Sequence, residues 1–213
     1  MQFADIDPTE KQWHIRTYFD VLNELLDGVP TEPALIAIDG YGGSGKTSLA
    51  RGLAALEPRA AVVNTDDLSW QQPFFDWVTP LVENILNPLR ERREPVGYRP
   101  EAWARRNVAG DLRVPEDASV VFIEGVGSAR RELRPWLDGI VWVYISQEVG
   151  DRRVGMEGSG EPQNTKERLR AEYALLASHR PWEVATVLVA GGLGQPAHNG
   201  RYGNVVTAPG PCG

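Results

Sequence analysis

The sequence has little lysine and a single cysteine. Its lysines are Lys11, Lys46 and Lys166, and arginine supplies the rest of the positive charge. With Cys212 alone, one chain can form neither an internal disulfide nor a cysteine-based metal site. We therefore expect a protein of a reducing compartment, the cytoplasm. The scarcity of lysine also gives weight to the position of Lys46 in the middle of the chain.

Long hydrophobic runs and an excess of positive charge are also absent. No apolar stretch approaches the ~20 residues that a membrane span needs, and the N-terminal segment MQFADIDPTEKQW lacks the pattern of a signal peptide. The formal net charge is −7, whereas nucleic-acid binding draws its affinity mainly from lysine and arginine on phosphates. We expect a protein that is not exported and binds neither a membrane nor nucleic acid.

Short apolar runs alternate with helical patterns through the middle of the chain. Such runs are typical of strands that are buried on both faces of a parallel sheet. The predicted strands cover residues 34–38, 60–63, 119–123, 139–145 and 186–190. The predicted helices cover residues 46–55, 80–92 and 165–178, the last with Thr165 as its cap. This alternation predicts an α/β fold of three layers, in which a five-stranded parallel sheet lies between helices.

The two ends of the chain differ from its middle. Between residues 8 and 27, apolar side chains recur at helical spacing, with Asp7 placed to cap a helix. We expect residues 1–30 to form an amphipathic helix that packs on the main domain and is a candidate contact for a homodimer. Residues 31–192 form the main domain. Residues 193–213, rich in glycine and proline, are predicted to form a loosely ordered tail.

One segment carries a complete nucleotide-binding motif. Gly40-Tyr-Gly-Gly-Ser-Gly-Lys-Thr47 matches G-x-x-x-x-G-K-[ST] at every fixed position, between a predicted strand and a predicted helix. Glycines let backbone N–H groups turn towards phosphate oxygens, and the helix N-terminus adds its positive dipole end. Lys46 is expected to reach the outer phosphates of ATP, and Thr47 is expected to ligate Mg²⁺. The predicted nucleotide-binding residues are Gly40, Gly42, Gly43, Ser44, Gly45, Lys46, Thr47 and Ser48.

Acidic side chains stand at the ends of two predicted strands. Asp66 and Asp67 follow the second strand, and Glu124 follows the third. The carboxyl ends of parallel strands line the ligand crevice, so we expect these carboxylates to converge on Thr47. We assign Asp66 as the base for an acceptor hydroxyl, Asp67 as its support or an outer metal group, and Glu124 as a metal-water ligand. An ordinary turn is the alternative for the aspartate pair, and Asp39 either braces the loop or approaches the metal.

Four runs of the sequence resemble the uridine kinase-like group of P-loop kinases, in particular its small actinobacterial members. The runs are IDGYGGSGKTSLA, VVNTDDLSW, VVFIEGVGSARREL and HRPWEVATVLVAGG, and the resemblance covers about residues 34–191. It implies a P-loop nucleoside/nucleotide kinase fold, ATP as the phosphoryl donor and Asp66 at the position of the hydroxyl base. It also implies an acceptor region at about 69–107 and an arginine-bearing lid at about 151–164.

The resemblance also marks residues for the acceptor. Arg130 and Arg131 fall where acceptor or phosphate contacts are made, with a solvated helix start as the alternative. Relatives carry an Asp-Trp pair where this chain has Tyr98-Arg-Pro-Glu-Ala-Trp103, so the candidates there are Arg99, Glu101 and Trp103. Aromatic side chains near this region either stack on an acceptor or form core; they are Trp70, Phe74, Phe75, Trp77 and Trp103.

The lid departs from the family pattern as well. Where relatives have Arg-Asp-Gly, this chain has Met156-Glu-Gly158. Arg152 and Arg153 are therefore the candidates for clamping the transferred phosphate, and surface arginines on a mobile segment are the alternative. The stretch Gly155–Gly160 reads as a flexible lid tip that excludes water when it closes.

These features predict a kinase that transfers the γ-phosphoryl group of ATP, with Mg²⁺, to a small hydroxylated acceptor. The acceptor is nucleoside-like or a natural product. Phosphorylation of an antibiotic in self-resistance is a distinct alternative, because the acceptor motif departs from the nucleoside pattern. A regulatory GTPase is disfavoured because the chain has no Asn-Lys-x-Asp motif. A non-catalytic nucleotide-binding module stays open because the lid is altered.

Overall fold

The computed structural model describes residues 11–69, 74–92, 94–105, 107–157, 162–192 and 203–212. Its strands are β1 (His14–Thr17), β2 (Ala34–Gly40), β3 (Ala60–Asn64), β4 (Val96–Tyr98), β5 (Leu112–Val114), β6 (Val120–Glu124), β7 (Gly139–Tyr144), β8 (Val187–Ala190) and β9 (Asn204–Pro209). Its helices are α1 (Tyr18–Leu26), α2 (Lys46–Ala54), α3 (Asp66–Ser69), α4 (Val78–Leu81), α5 (Glu101–Arg105), α6 (Gln147–Glu157) and α7 (Pro162–His179). The central sheet has the order β1-β9-β8-β7-β2-β6-β3, and β4 pairs with β5 in a separate hairpin.

The five predicted parallel strands are confirmed as β2, β3, β6, β7 and β8. β2 pairs in parallel with β6 and β7, β3 pairs with β6, and β8 pairs with β7. Side chains of β2 point alternately to the two faces: Ile36 and Ile38 pack with α1 and α2, whereas Leu35 and Ala37 pack with residues of α4 and α7. Helices therefore cover both faces, as the three-layer prediction requires.

The sheet has seven strands rather than five, because each end of the chain adds one strand at the same edge. β9 pairs antiparallel with β8, and β1 pairs antiparallel with β9. The prediction of a loosely ordered tail is therefore wrong for residues 204–209, where Val205 and Ala208 are buried. The strand is short and lies among glycines and prolines, so its alternating pattern gave no distinct signal.

The N-terminal helix is present but shorter than predicted. It begins at Tyr18 rather than near residue 8, because Thr17 caps it through a capping box with Asp20. The residues before it form β1, which pairs with the C-terminal strand. Asp7, the predicted cap, lies outside the described residues.

Two other helices differ from the prediction. The helix predicted at 80–92 is present as α4, which continues as π-helical turns at Val82–Leu86 and Pro88–Arg92. α7 begins at Pro162, so Thr165 lies inside the helix and does not cap it. α6 extends to Glu157, so the start of the predicted lid tip is helical, and residues 158–161 of the tip lie outside the described residues.

None of the described helices is both long enough and apolar enough to cross a membrane.

Candidate functional site

The phosphate-loop motif connects β2 to α2. β2 ends at Gly40, and α2 begins at Lys46 directly after Gly45. Gly43 and Gly45 have φ angles of +70° and +97°, in the left-handed region that favours glycine. A Cβ on Gly43 would also lie 2.8 Å from Arg153 Cβ. The backbone path therefore requires glycine at both positions, and the close approach of α6 requires it at position 43 as well.

Lys46 folds its ammonium group back onto this loop. The residue is 8% exposed, and Nζ donates hydrogen bonds to the carbonyl oxygens of Gly40 at 3.0 Å and Tyr41 at 2.9 Å. A phosphate oxygen at the loop carries negative charge, so it would bind the ammonium more strongly than these neutral carbonyl oxygens do.

Asp39 braces the loop rather than approaching the metal position. Its carboxylate is fully buried and accepts hydrogen bonds from three backbone N–H groups: Gly40 at 2.7 Å, Gly127 at 2.8 Å and Ala129 at 3.0 Å. Burial raises the pKa of Asp39, whereas these hydrogen bonds and the charge of Lys46 lower it. The contacts tie the phosphate loop to the segment that follows β6.

A line of hydrogen bonds joins α2 to the ends of β6 and β3. Thr47 Oγ1 donates to Glu124 Oε1 at 2.9 Å, and Asn64 Nδ2 donates to the same oxygen at 2.7 Å. Asn64 Oδ1 accepts a hydrogen bond from the backbone N–H of Asp66 at 2.8 Å. Burial raises the pKa of Glu124, whereas the Thr47 hydrogen bond and the charge of Lys46 lower it. Asn64 was not predicted, and its one sequence signal was its position at the end of a strand.

A cavity of about 300 Å³ opens beside these side chains, and we call it the phosphate cavity. The structure thus brings Asp66 and Glu124 together with Thr47 as expected, while the roles assigned to them stay predictions. Asp67 is half-buried and is not among the lining residues; burial and the neighbouring Asp66 raise its pKa. The residues that line the phosphate cavity include Gly42, Gly43, Lys46, Thr47, Asp66, Phe75, Glu124 and Arg168.

The donor set at this cavity suits Mg²⁺ bound together with a nucleotide. Among the described residues, no three His, Cys, Asp or Glu side chains form a group that would hold a metal alone. Thr47 and Glu124 nevertheless bring a hydroxyl and a carboxylate oxygen within 2.9 Å of each other. Mg²⁺ is usually bound through one or two carboxylates plus substrate phosphates, and these residues fit that pattern.

A second cavity of about 250 Å³ adjoins the same loop. Ser44 and Gly45 of the motif line it together with Ser48, as do Gly191 and Gly192 after β8. Tyr18 of α1 and Val205 of β9 complete its wall, so both added ends of the chain contribute to this cavity.

The structure places neither predicted lid arginine at the phosphate cavity. Arg152 forms a surface ion pair with Glu148 at 2.9 Å, which agrees with the alternative of a surface arginine. Arg153 donates from Nη1 to the carbonyl of Gly43 at 2.9 Å and lines the second cavity. Arg168 of α7 lines the phosphate cavity instead. It was not predicted because its neighbours in sequence are also charged, and only the packing of α7 decides which of them faces the loop.

Arg130 is buried, so the alternative of a solvated helix start does not hold for its side chain. The residue is 6% exposed, and its guanidinium carbon lies 4.3 Å from the centre of the Trp77 ring. Nη1 donates to the carbonyl of Phe75 at 2.9 Å. Phe75 has a φ of +66°, which is strained for a phenylalanine, and it lines the phosphate cavity. Arg131, in contrast, is exposed.

Of the predicted acceptor residues that the structure describes, only Asp66 and Phe75 line the phosphate cavity. Arg99 donates to the carbonyl of Val108 at 2.9 Å, and Glu101 pairs with Arg105 on the surface of α5. Trp103 packs against the core, Trp77 is 1% exposed, and Phe74 is exposed. These positions favour core or surface roles over stacking. Trp70 lies outside the described residues.

Solved structures with the same fold include kinases. A possible uridine kinase from Bacillus stearothermophilus matches with a TM-score of 0.57 and 19% identity, over 80% of this chain and 96% of that one. A protein described as a fructose transport system kinase, from Silicibacter sp. TM1040, matches with a TM-score of 0.55 and 18% identity, over 75% and 95%. The sequence matches no family model and no curated protein. At these identities the likeness shows the fold, and it confirms the three-layer α/β fold of P-loop kinases that the sequence predicted.

Proposed function

We propose that this protein is an ATP-dependent kinase that transfers the γ-phosphoryl group to a hydroxyl of a small molecule. The observation that carries the proposal is that Lys46 and Thr47 of the loop line the same cavity as Asp66 and Glu124. A phosphate loop alone supports nucleotide binding. A carboxylate beside the outer-phosphate position adds the base that transfer to an alcohol needs.

The two cavities bind different parts of the substrates in the proposed complex. In the proposed complex the triphosphate lies along the loop amides and the N-terminus of α2. The second cavity takes the nucleotide base, since Tyr18, Val189 and Val205 give it apolar walls. The phosphate cavity takes the outer phosphates and the acceptor hydroxyl.

The proposed transfer is a single displacement. The acceptor oxygen forms a bond to the γ-phosphorus, the bond from that phosphorus to the bridging oxygen of ADP breaks, and the hydroxyl proton passes to Asp66. Lys46 and Arg168 stabilise the charge on the phosphoryl oxygens. Thr47 and Glu124 would hold Mg²⁺, which supplies further charge neutralisation at the phosphates. Asn64 keeps Glu124 and the backbone of Asp66 in position.

The acceptor we propose is a nucleoside, a sugar or a related natural product. Two structural neighbours are described as a possible uridine kinase and a fructose transport system kinase, and the aromatic residue Phe75 is among those that line the phosphate cavity. An antibiotic hydroxyl is the second acceptor class. It is favoured by the surface pairing of Glu101 with Arg105, because Glu101 would have to replace the aspartate that nucleoside recognition uses in relatives.

An acceptor screen tests the proposal. With ATP and Mg²⁺, a panel of nucleosides, sugars and hydroxylated antibiotics is expected to include one class that gives acceptor-dependent ADP release and a phosphate-sized mass gain. Asp66→Asn is expected to lower that turnover by about 100-fold or more, whereas Asp117→Asn on the surface leaves it unchanged. Nucleotide binding without acceptor-dependent turnover would contradict a kinase and favour a non-catalytic nucleotide-binding module. No nucleotide binding at all would contradict both functions.

A further inference from the structure

The phosphate loop is held by α6 and α7 at two adjacent glycines. Glu172 of α7 accepts a hydrogen bond from the backbone N–H of Gly42 at 2.7 Å. Arg153 of α6 donates from Nη1 to the carbonyl of Gly43 at 2.9 Å. The two contacts fix the peptide groups on either side of the Gly42–Gly43 bond, and they thereby orient the amide between them.

Glu172 occupies an unusual position for a carboxylate. The residue is 1% exposed, and within the part of the chain that the structure describes its Oε2 atom has no hydrogen-bond partner. Burial raises the pKa of Glu172, whereas the Gly42 hydrogen bond and the charges of Lys46 and Arg168 lower it. Burial of a carboxylate with so few partners is costly, so packing alone does not explain why α7 carries glutamate here.

The contact is also sterically tight. A Cβ at position 42 would lie 2.8 Å from Val154 Cγ2 and 3.2 Å from Glu172 Oε2. The Gly42 backbone therefore lies directly against α6 and α7, and its N–H is already committed to the Glu172 carboxylate.

We propose that Glu172 is a positioning residue for nucleotide binding, a role that rests on the proposed function of the loop. By accepting the Gly42 N–H, it holds the start of the loop in the conformation in which the following amides and Lys46 meet the phosphates. A glycine-rich loop without this contact samples more conformations. The entropy lost when the nucleotide orders the loop then lowers the binding affinity.

Isothermal titration calorimetry with ATP and Mg²⁺ on four proteins tests this role. Glu172→Ala removes the acceptor and is expected to weaken nucleotide affinity by about 10-fold. Glu172→Gln keeps a carbonyl oxygen that accepts the same hydrogen bond, so its affinity is expected to stay within about threefold of wild type. Glu167→Ala, on the exposed side of α7, is the matched control. Once an acceptor is identified, the KM for ATP is expected to rise in Glu172→Ala while the KM for the acceptor stays unchanged.

The possible outcomes separate this role from a merely structural one. If Glu172→Ala lowers the melting temperature but binds the nucleotide like wild type, the proposal is overturned. It is also overturned if Glu172→Gln loses as much affinity as Glu172→Ala, since the hydrogen bond would then not be the cause. If Glu172→Ala fails to fold, Glu172→Asp keeps the charge with a shorter reach, and weaker binding by that variant supports the proposal while wild-type binding refutes it. A wild-type protein that binds no nucleotide would instead contradict the proposed function itself.

Discussion

Thr47 donates a hydrogen bond to Glu124 across 2.9 Å, although the two residues are 77 positions apart in the chain. The contact exists because β2 and β6 are parallel neighbours, with Ile38 opposite Glu124 in the register. The loop that follows β2 returns the first turn of α2 to the carboxyl end of β6. A hydroxyl and a carboxylate therefore lie side by side at the phosphate loop. The proposed metal position between them is close to Asp66, the proposed base.

Replacement of Lys46 tests the role of the loop in phosphate binding. Lys46→Met is expected to weaken the affinity for ATP with Mg²⁺ by about 10- to 100-fold, because a charge-assisted contact to the phosphates is lost. Calorimetric titration measures the change in Kd. Lys166→Met, which changes an exposed lysine of α7, is the control. Equal affinity in Lys46→Met and wild type would exclude the proposed contact.

Replacement of Glu124 tests the metal position. Glu124→Gln still accepts the Thr47 hydrogen bond but lacks the negative charge, so about 10-fold more free Mg²⁺ is expected to be needed for half-maximal turnover. The measurement is the initial rate against free Mg²⁺ at a fixed ATP concentration. Glu116→Gln on the surface serves for comparison. An unchanged Mg²⁺ requirement would remove Glu124 from the metal position.

Arginine substitutions decide which side chain stabilises the transferred phosphoryl group. Arg168→Met is expected to lower kcat by about 100-fold with little change in nucleotide affinity, because Arg168 lines the phosphate cavity. Arg170→Met, on the exposed side of the same helix, is expected to have no effect. Steady-state kinetics with an identified acceptor provide both values. If Arg152→Met lowers kcat instead, the clamping role predicted for Arg152 from the sequence is correct and the assignment from the cavity is wrong.

His179 at the end of α7 is expected to make the free energy of unfolding depend on pH. Burial lowers the pKa of His179 below its ordinary value of 6.5; Glu132 opposes this, and three neighbouring arginines add to it. Its Nδ1 atom accepts the backbone N–H of Arg131 at 3.2 Å, which requires the unprotonated nitrogen. The arginines are Arg130, Arg131 and Arg134.

A group whose pKa is lowered by folding binds its proton more readily in the unfolded state. Its contribution to stability is therefore present above pH 6.5 and is lost as the pH falls through the lower pKa of the folded state. Urea denaturation at pH 7.5 and pH 5.5 is expected to show a smaller pH-dependent loss for His179→Asn than for wild type. A loss of the same size in both proteins would mean that His179 does not titrate in this way.

Local signals in the sequence were sufficient for the loop and the five parallel strands. Each of these strands is a short apolar run, and the glycines, Lys46 and Thr47 of the motif are consecutive, so a single segment contains the whole pattern. Asp66 and Glu124 could also be placed, because a parallel sheet brings the carboxyl ends of its strands to one edge. The arginine at the phosphate cavity could not be identified from the sequence, since many arginines are spread along the chain and their local patterns are alike.

The linear order of residues thus specified a phosphate-binding turn between a buried strand and a helix, with acids at neighbouring strand ends. Packing in three dimensions specified the rest: β1 and β9 at the sheet edge, Arg130 stacked on Trp77, and Arg168 and Glu172 rather than Arg152 at the loop. Strand and turn formation depends on neighbours a few positions away, whereas the side of α7 that meets the loop depends on how that helix docks on the assembled sheet.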